Sequence, residues 1–138
     1  FSQRHGYKPI MKANTIKNTF IIKKANTNLN FDSFDVTHGM IKATGYVFDK
    51  IAYISDCNKI SNVALKKLKN LNFLIIDCLR QDKHPSHFNY EDALKLIKKI
   101  KPKKSILTNL HVDLDYFKLK KKLPKNIIPA YDGLSFNF

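Results

Sequence analysis

The run Leu71-Asn72-Phe73-Leu74-Ile75-Ile76 decides the fold, because an almost continuous apolar stretch of this length is typical of a strand buried inside a sheet. A second run of the same character follows at residues 105–110. Between the two lies a segment whose apolar residues recur at helical spacing. Strand, helix and strand in this order predict an α/β unit, a mixed sheet with helices packed on one face.

Three helices are predicted around these strands. Ser61, Asn89 and Asp113 are residue types that cap helix N-termini, and each precedes a segment with helix-like apolar residues. We expect the second helix to end before Pro102 and the third to reach Leu123. The helices therefore alternate with the strands in the second half of the chain.

The first part of the chain is rich in strand-forming residues. We expect one hairpin around the two-residue turn Asp49-Lys50 and another connection at the Asn-rich turn 26–28. The remaining predicted strands are short and flanked by polar residues: 20–23, 31–36, 45–48, 51–54, 126–130 and 134–138.

Composition limits the class of protein. The chain has 138 residues, 43% of them hydrophobic, which fits one globular domain. No apolar run approaches the roughly 18 residues that span a bilayer, so we expect no membrane partner. Cys57 and Cys78 are too few for a disulfide framework, and we expect reduced thiols in a cytoplasmic protein. The first residue is Phe1, with no leader-like segment before it, so we expect a processed or partial chain. A homodimer is left open.

The net charge of +14 arises from 25 Lys and Arg against 11 Asp and Glu. Such a charge attracts phosphate-bearing partners. It can equally reflect a general bias toward lysine, because only Arg4 and Arg80 are arginine and many lysines fall on polar faces of the predicted helices. Charge alone does not separate these interpretations.

Three residues of types that bind divalent metals stand at the ends of predicted strands: His38, Asp56 and His111. Ligands of open α/β sheets gather at the carboxyl ends of strands, so we expect the three to converge on one rim. Asp113 and Asp115 can orient His111 or begin the third helix. Each of these residues can also have a purely structural role, the histidines as residues that end a strand and the aspartates as caps of a turn or helix.

The loop His84-Pro85-Ser86-His87 adds two histidines just before the second helix. From there His87 can act as a general acid or donate a hydrogen bond to a developing oxyanion. Solvent-exposed histidines without a function are the alternative for both His84 and His87.

Several segments stand out jointly by their order and spacing: Val36-Thr37-His38-Gly39, Gly45-Tyr46, Ala52-Tyr53-Ile54-Ser55-Asp56, Asp77-Cys78-Leu79-Arg80, His84-Pro85-Ser86-His87, Leu107-Thr108-Asn109-Leu110-His111, Asp113-Leu114-Asp115-Tyr116, Leu123-Pro124 and Ala130-Tyr131-Asp132-Gly133. Together they resemble the C-terminal half of a metallo-β-lactamase-fold hydrolase. More narrowly, the chain is similar to the cyclic-phosphodiesterase branch, typified by phosphoribosyl cyclic phosphodiesterase.

The resemblance implies half of an αββα sandwich, with residues 1–138 as the C-terminal part of one domain. It implies two divalent ions, zinc or manganese, with His38 on one ion, His111 on the other and Asp56 bridging both. It also implies that His87 contacts the scissile phosphate and aids the leaving group. In such enzymes a metal-bridging hydroxide attacks phosphorus.

The chain also departs from the family pattern. The signature His-x-His-x-Asp-His, which supplies most metal ligands in the family, is absent, and the only early histidine is His5. Asn109 stands where relatives of this branch can carry histidine. We therefore expect the N-terminal half of the domain to be missing and this chain alone to be inactive, or nearly so.

Three functions remain in view. The first is a metal-dependent phosphodiesterase with a small cyclic phosphate as substrate. The second is an RNA-processing endonuclease resembling the transfer-RNA 3′-end endonuclease, and the third is a non-catalytic basic nucleic-acid-binding module. No arginine-rich or aromatic-basic segment stands out, so the first is favoured, with a small phosphorylated molecule as partner.

Overall fold

The structure, a computed structural model, describes residues 14–24 and 27–137. Within these residues, seven strands form one mixed sheet in which the strands lie side by side in chain order. The strands are β1 (Thr19–Lys24), β2 (Thr27–His38), β3 (Ile41–Phe48), β4 (Ile51–Ile54), β5 (Phe73–Asp77), β6 (Lys104–Thr108) and β7 (Ile127–Pro129). The helices are α1 (Asn62–Lys67), α2 (Tyr90–Ile100) and α3 (Tyr116–Lys122).

The strands β1 to β4 pair antiparallel. The predicted hairpin is confirmed as β3–β4, and its turn residues Asp49 and Lys50 have φ of 44° and 64°, the left-handed conformation that two-residue turns require. The predicted turn at 26–28 is wrong in part. Thr27 and Asn28 belong to β2 and pair with β1, which leaves a shorter connection at 25–26, outside the described residues.

The strands β4 to β7 pair parallel, and a helix connects each to the next. Right-handed crossovers between adjacent parallel strands place their helices on the same side of the sheet, so the predicted α/β architecture is confirmed. The predicted caps Ser61 and Asn89 each accept a backbone N–H of their helix. The cap predicted at Asp113 is wrong: Asp115 accepts the N–H of Lys118 and begins α3.

The last predicted strand, 134–138, is also wrong. Residues 134–137 have no strand pairing, and Phe138 lies outside the described residues. The ring of Phe136 stacks on Phe73 with centroids 4.5 Å apart, so this segment packs on the sheet instead of extending it.

The main core lies between the sheet and the three helices. Alternate strand residues such as Phe34, Ile54 and Leu74 are buried there against helix residues such as Ala93 and Ile97. None of the helices within the described residues is long and apolar enough to span a membrane.

The opposite face of the sheet carries aromatic side chains from neighbouring strands. Phe20 stacks on Phe31 at 5.1 Å between centroids, and Phe31 contacts Phe48 at 4.7 Å. A sheet with apolar side chains on both faces is what one half of a sandwich contains. That the described sheet is half of a domain stays a prediction.

Candidate metal centre

Three of the predicted site residues meet at one rim of the sheet. His38 is the last residue of β2, Asp56 follows β4 by two residues, and His87 lies in the loop between β5 and α2. Their potential ligand atoms all lie within 4.8 Å of one another. The Nε2 atoms of the two histidines are 3.1 Å apart. The sequence had predicted that ligands gather at the carboxyl ends of strands, and His38 and Asp56 do lie together there.

The donor set fits a divalent transition metal. Two imidazole nitrogens and a carboxylate oxygen suit zinc and manganese. Two nitrogens bound to one tetrahedral zinc lie about 3.3 Å apart, close to the spacing of the two Nε2 atoms. Asp56 is exposed, and its Oδ2 accepts the Ser55 hydroxyl at 2.8 Å, which holds the carboxylate while the rim stays open to water. We call His38, Asp56 and His87 the metal cluster.

A buried carboxylate stands behind the metal cluster. Asp77 is the last residue of β5 and has no solvent exposure. Its Oδ2 lies 2.8 Å from the Nδ1 of His87 and accepts the N–H of Cys57 at 3.2 Å, and its Oδ1 accepts the Asn109 amide at 3.1 Å. Burial raises the pKa of Asp77, and the three hydrogen bonds oppose that rise. A hydrogen bond donated by Nδ1 leaves Nε2 of His87 with its lone pair toward His38, which is the form a metal requires.

Sequence reasoning gave Asp77 no role, although it was part of a segment that resembles the family. The available signal was a carboxylate at the end of a buried strand, where an unpaired charge is costly. Asn109 was also unassigned. Asn109 is the first residue after β6, and its φ of 62° is a left-handed conformation that asparagine tolerates. Its amide therefore faces Asp77 and lies 3.3 Å from Nδ1 of His87.

His111 does not join the metal cluster. It lies three residues beyond the end of β6, is exposed, and its Nδ1 is 2.7 Å from Oδ1 of Asp113. The group expected from sequence, His38 with Asp56 and His111, is thus replaced by one in which His87 takes the third place. Asp113 orients His111, one of the two alternatives that the sequence left open. A role for His111 on a second ion stays a prediction.

The loop that carries His87 is fixed against the neighbouring strand end. The Asn58 amide donates to the Pro85 carbonyl at 2.6 Å, and the N–H of Phe88 donates to the Cys57 carbonyl at 2.7 Å. Gly39 has a φ of 61°, and a Cβ there would lie 3.0 Å from Cβ of Ser86. Glycine after His38 therefore allows the close backbone approach expected from sequence.

The Cys57 thiol lies beside the site but is unsuited to bind a metal. It is fully buried, and desolvation raises the pKa of the thiol, with the charges of Asp77 and Asp56 acting in the same direction. The thiolate is the form that coordinates metals, so the neutral thiol remains a packing group.

Comparison with known proteins gives one family and several solved structures. The model of the "Beta-lactamase superfamily domain" matches residues 1–109. A crystal structure described as a new diphosphatase from the PhnP family has a TM-score of 0.81 and 28% identity, and the match covers 89% of this chain and 47% of that one. The protein YhfI from Bacillus subtilis has a TM-score of 0.67 at 14% identity, covering 86% and 53% of the two chains, and indicates the fold alone.

A curated relative, an octanoyltransferase from Porphyromonas gingivalis (strain ATCC BAA-308 / W83), is 31% identical over 129 residues. The match covers 91% of this chain but 26% of that protein. The chain therefore spans about a quarter of this curated relative and about half of the solved structures it matches. This coverage fits the interpretation of the chain as part of a domain.

Proposed function

Because this chain belongs to the beta-lactamase superfamily and has the metallo-β-lactamase fold, we propose that it forms part of a metal-dependent hydrolase of small phosphorylated substrates. The observation that carries the proposal is the metal cluster: His38, Asp56 and His87 bring three ligand atoms together on an open rim. A bound divalent ion would supply a Lewis acid and lower the pKa of a water molecule.

The residues of this chain have distinct roles in the proposal. His38 and Asp56 hold the ion. Asp77 keeps a proton on Nδ1 of His87 through the 2.8 Å hydrogen bond, so that Nε2 is free either to bind the ion or to carry a proton to the leaving oxygen. The second of these is the role predicted from sequence.

Metal titration separates the two roles of His87. We expect His38→Ala and Asp56→Ala each to weaken zinc or manganese binding at least ~10-fold in calorimetry. If His87 is a ligand, His87→Ala behaves like them. If it is the acid, His87→Ala retains metal affinity and lowers only the hydrolysis rate of the protein that carries this chain. Full retention of affinity in all three variants would refute the metal site.

The substrate proposed is a small cyclic phosphodiester. The family-like segments around His38, Asp56 and His87 support it, and the neighbour described as a diphosphatase makes a diphosphate the competing substrate. Both contain phosphorus bonded to an oxygen leaving group, so the same residues serve either. Parallel assays with a nucleoside 2′,3′-cyclic phosphate and a nucleoside diphosphate decide between them. If the metal-loaded protein that carries this chain hydrolyses neither of the two compounds, the proposal is refuted.

The net charge of +14 supports one alternative, a nucleic-acid partner. Binding through phosphates weakens steeply with salt, by ~10³-fold or more between 50 and 200 mM for six or more contacts. A filter-binding series with a transfer-RNA precursor would show this slope if an RNA-processing enzyme or a basic binding module is correct. Salt-independent hydrolysis of a small substrate would favour the first proposal. A cytoplasmic location and a homodimer also remain proposals.

A further inference from the structure

The loop between β5 and α2 contains a second group of unusual side chains, next to the metal cluster. Arg80 is one of two arginines among the 25 basic residues of the chain. It is partly buried, and its backbone carbonyl accepts the N–H of Tyr90 at 2.9 Å, which fixes its position at the start of α2. Arginine differs from lysine in its planar fork of donors, which matches phosphate oxygens.

The guanidinium of Arg80 is held by a backbone carbonyl and not by any carboxylate that the structure describes. Nη2 donates to the Lys83 carbonyl at 2.9 Å, the one side-chain hydrogen bond that Arg80 makes within the part of the chain described. Nε is buried and has no partner there. Since Lys83 immediately precedes His84, this bond places the guanidinium against the start of the histidine loop. The N–H groups on Nη1 and Nη2 that make no bond within the described residues can serve a ligand.

His84, the residue after Lys83 in the same loop, presents a second donor. Its Nδ1 receives the backbone N–H of Ser86 at 3.3 Å and lies 3.2 Å from the Ser86 hydroxyl. A backbone N–H can only donate, so Nδ1 is the acceptor and the ring proton sits on Nε2. The ring centroid of His84 is 5.1 Å from that of His87, so this N–H belongs to the same rim as the metal cluster.

Three of the nearby carboxylates are already engaged. Asp77 accepts from His87 and Asn109, Asp92 binds Lys83 at 2.5 Å, and Asp113 binds His111. Arg80 itself forms no ion pair with a carboxylate within the described residues; its side chain donates to a backbone carbonyl. Fixed donors without a carboxylate partner, one of them a guanidinium, are the arrangement that binds an oxyanion.

We propose that Arg80 and His84 form an oxyanion site that takes oxygens of a phosphoryl group at the edge of the metal cluster. In the hydrolase proposed above, on which this use of the site depends, the group is the substrate's phosphate. The pair then determines specificity for phosphorylated molecules and positions them. The binding itself needs no metal ion.

Phosphate binding by the full chain tests the site. Inorganic phosphate and diphosphate are titrated at low salt in metal-free buffer and followed by calorimetry and by the NMR shifts of the Arg80 side chain. We expect Arg80→Gln to weaken binding at least ~10-fold, because a charge-assisted hydrogen-bond pair is lost. Arg80→Lys retains the charge without the fork and should fall between Arg80→Gln and the wild type.

The matched control is Lys83→Gln. It removes one positive charge from the same loop but keeps the carbonyl that holds Arg80, so we expect less than a ~2-fold change for an exposed, screened charge. Equal losses in Arg80→Gln and Lys83→Gln would overturn the site, since net charge alone would then explain them. Nitrogen-15 shifts of the wild-type His84 ring give a test without any variant: a proton on Nδ1 contradicts the proposal.

His38→Ala separates this inference from the proposed hydrolase. That variant should lose metal affinity and retain phosphate affinity. If metal binding or hydrolysis fails while the Arg80-dependent phosphate affinity persists, only the hydrolase proposal falls. If phosphate affinity does not depend on Arg80 while metal binding holds, only the oxyanion site falls.

Discussion

Replacing Asp77 by asparagine is the sharpest test of how the metal cluster is organised. The substitution retains the shape of the side chain but exchanges one acceptor oxygen for an NH₂ group. The carboxylate now serves three donors: Nδ1 of His87, the N–H of Cys57 and the amide of Asn109. One oxygen cannot serve all three, so at least one donor must face the new NH₂. If that donor is His87, its ring proton moves to Nε2, the atom that faces His38.

The two expected magnitudes differ. Losing a hydrogen bond to a charged buried acceptor costs about 1.5–3 kcal/mol. Burial raises the pKa of Asp77, so the neutral amide avoids part of the desolvation cost of the carboxylate. We therefore expect a stability loss near the low end, about 1.5 kcal/mol. Metal affinity has no such compensation and should fall 10- to 100-fold, or about 1.4–2.7 kcal/mol.

Zinc competition against a chromophoric chelator measures the affinity, and nitrogen-15 NMR of the His87 ring reports the tautomer. Asp35→Asn is the control, because it removes the same charge from an exposed position on β2 that pairs with Lys42. Wild-type zinc affinity together with an unchanged tautomer in Asp77→Asn would refute the reasoning. So would an equal loss of zinc affinity in Asp35→Asn, since that would point to net charge rather than to the orientation of His87.

Three further predictions concern stability. Burial raises the pKa of Cys78 from 9.0 to about 12. Because the folded-state pKa is the higher one, the stabilisation from the neutral thiol is complete below pH 9 and declines by about 1.4 kcal/mol per pH unit above it. The difference in unfolding free energy between wild type and Cys78→Ala should therefore shrink from pH 9 to 10.5 in urea titrations, and a constant difference would contradict this. Asn89→Ala removes the cap that accepts the N–H of Asp92, so we expect a loss of about 1 kcal/mol by urea unfolding, whereas no loss would mean that α2 begins without it. Gly45→Ala would put a Cβ 2.7 Å from the Phe34 ring, and we expect about 1–3 kcal/mol of destabilisation by thermal or urea unfolding, with wild-type stability showing that the ring can move aside.

The sequence predicted most of the fold because its signals are local. The buried runs, the caps Ser61 and Asn89 and the turn Asp49-Lys50 each depend on neighbours within a few residues. One of the errors arose where two nearby residues competed for one role. Asp113 and Asp115 can both cap α3; in the structure Asp113 contacts His111, and Asp115 accepts the N–H of Lys118.

The candidate site could be predicted only in part. Strand ends correctly located His38 and Asp56 on one rim. That His87 joins them instead of His111 depends on the contacts of a loop with a distant strand end, including Asn58 with Pro85, which no short-range pattern contains. The Asp77 carboxylate was missed because its partners come from three separate segments.

The side-by-side succession of β1 to β7 also bears on how the chain acquires its shape during synthesis. Each newly made strand finds its partner already present, since the neighbour in space is the preceding strand in time. Such local pairing favours rapid folding, and growth can proceed in one direction as the polypeptide leaves the ribosome. The histidine at the end of β2 is therefore made before the loop that completes its rim, because His87 is translated 49 residues after it.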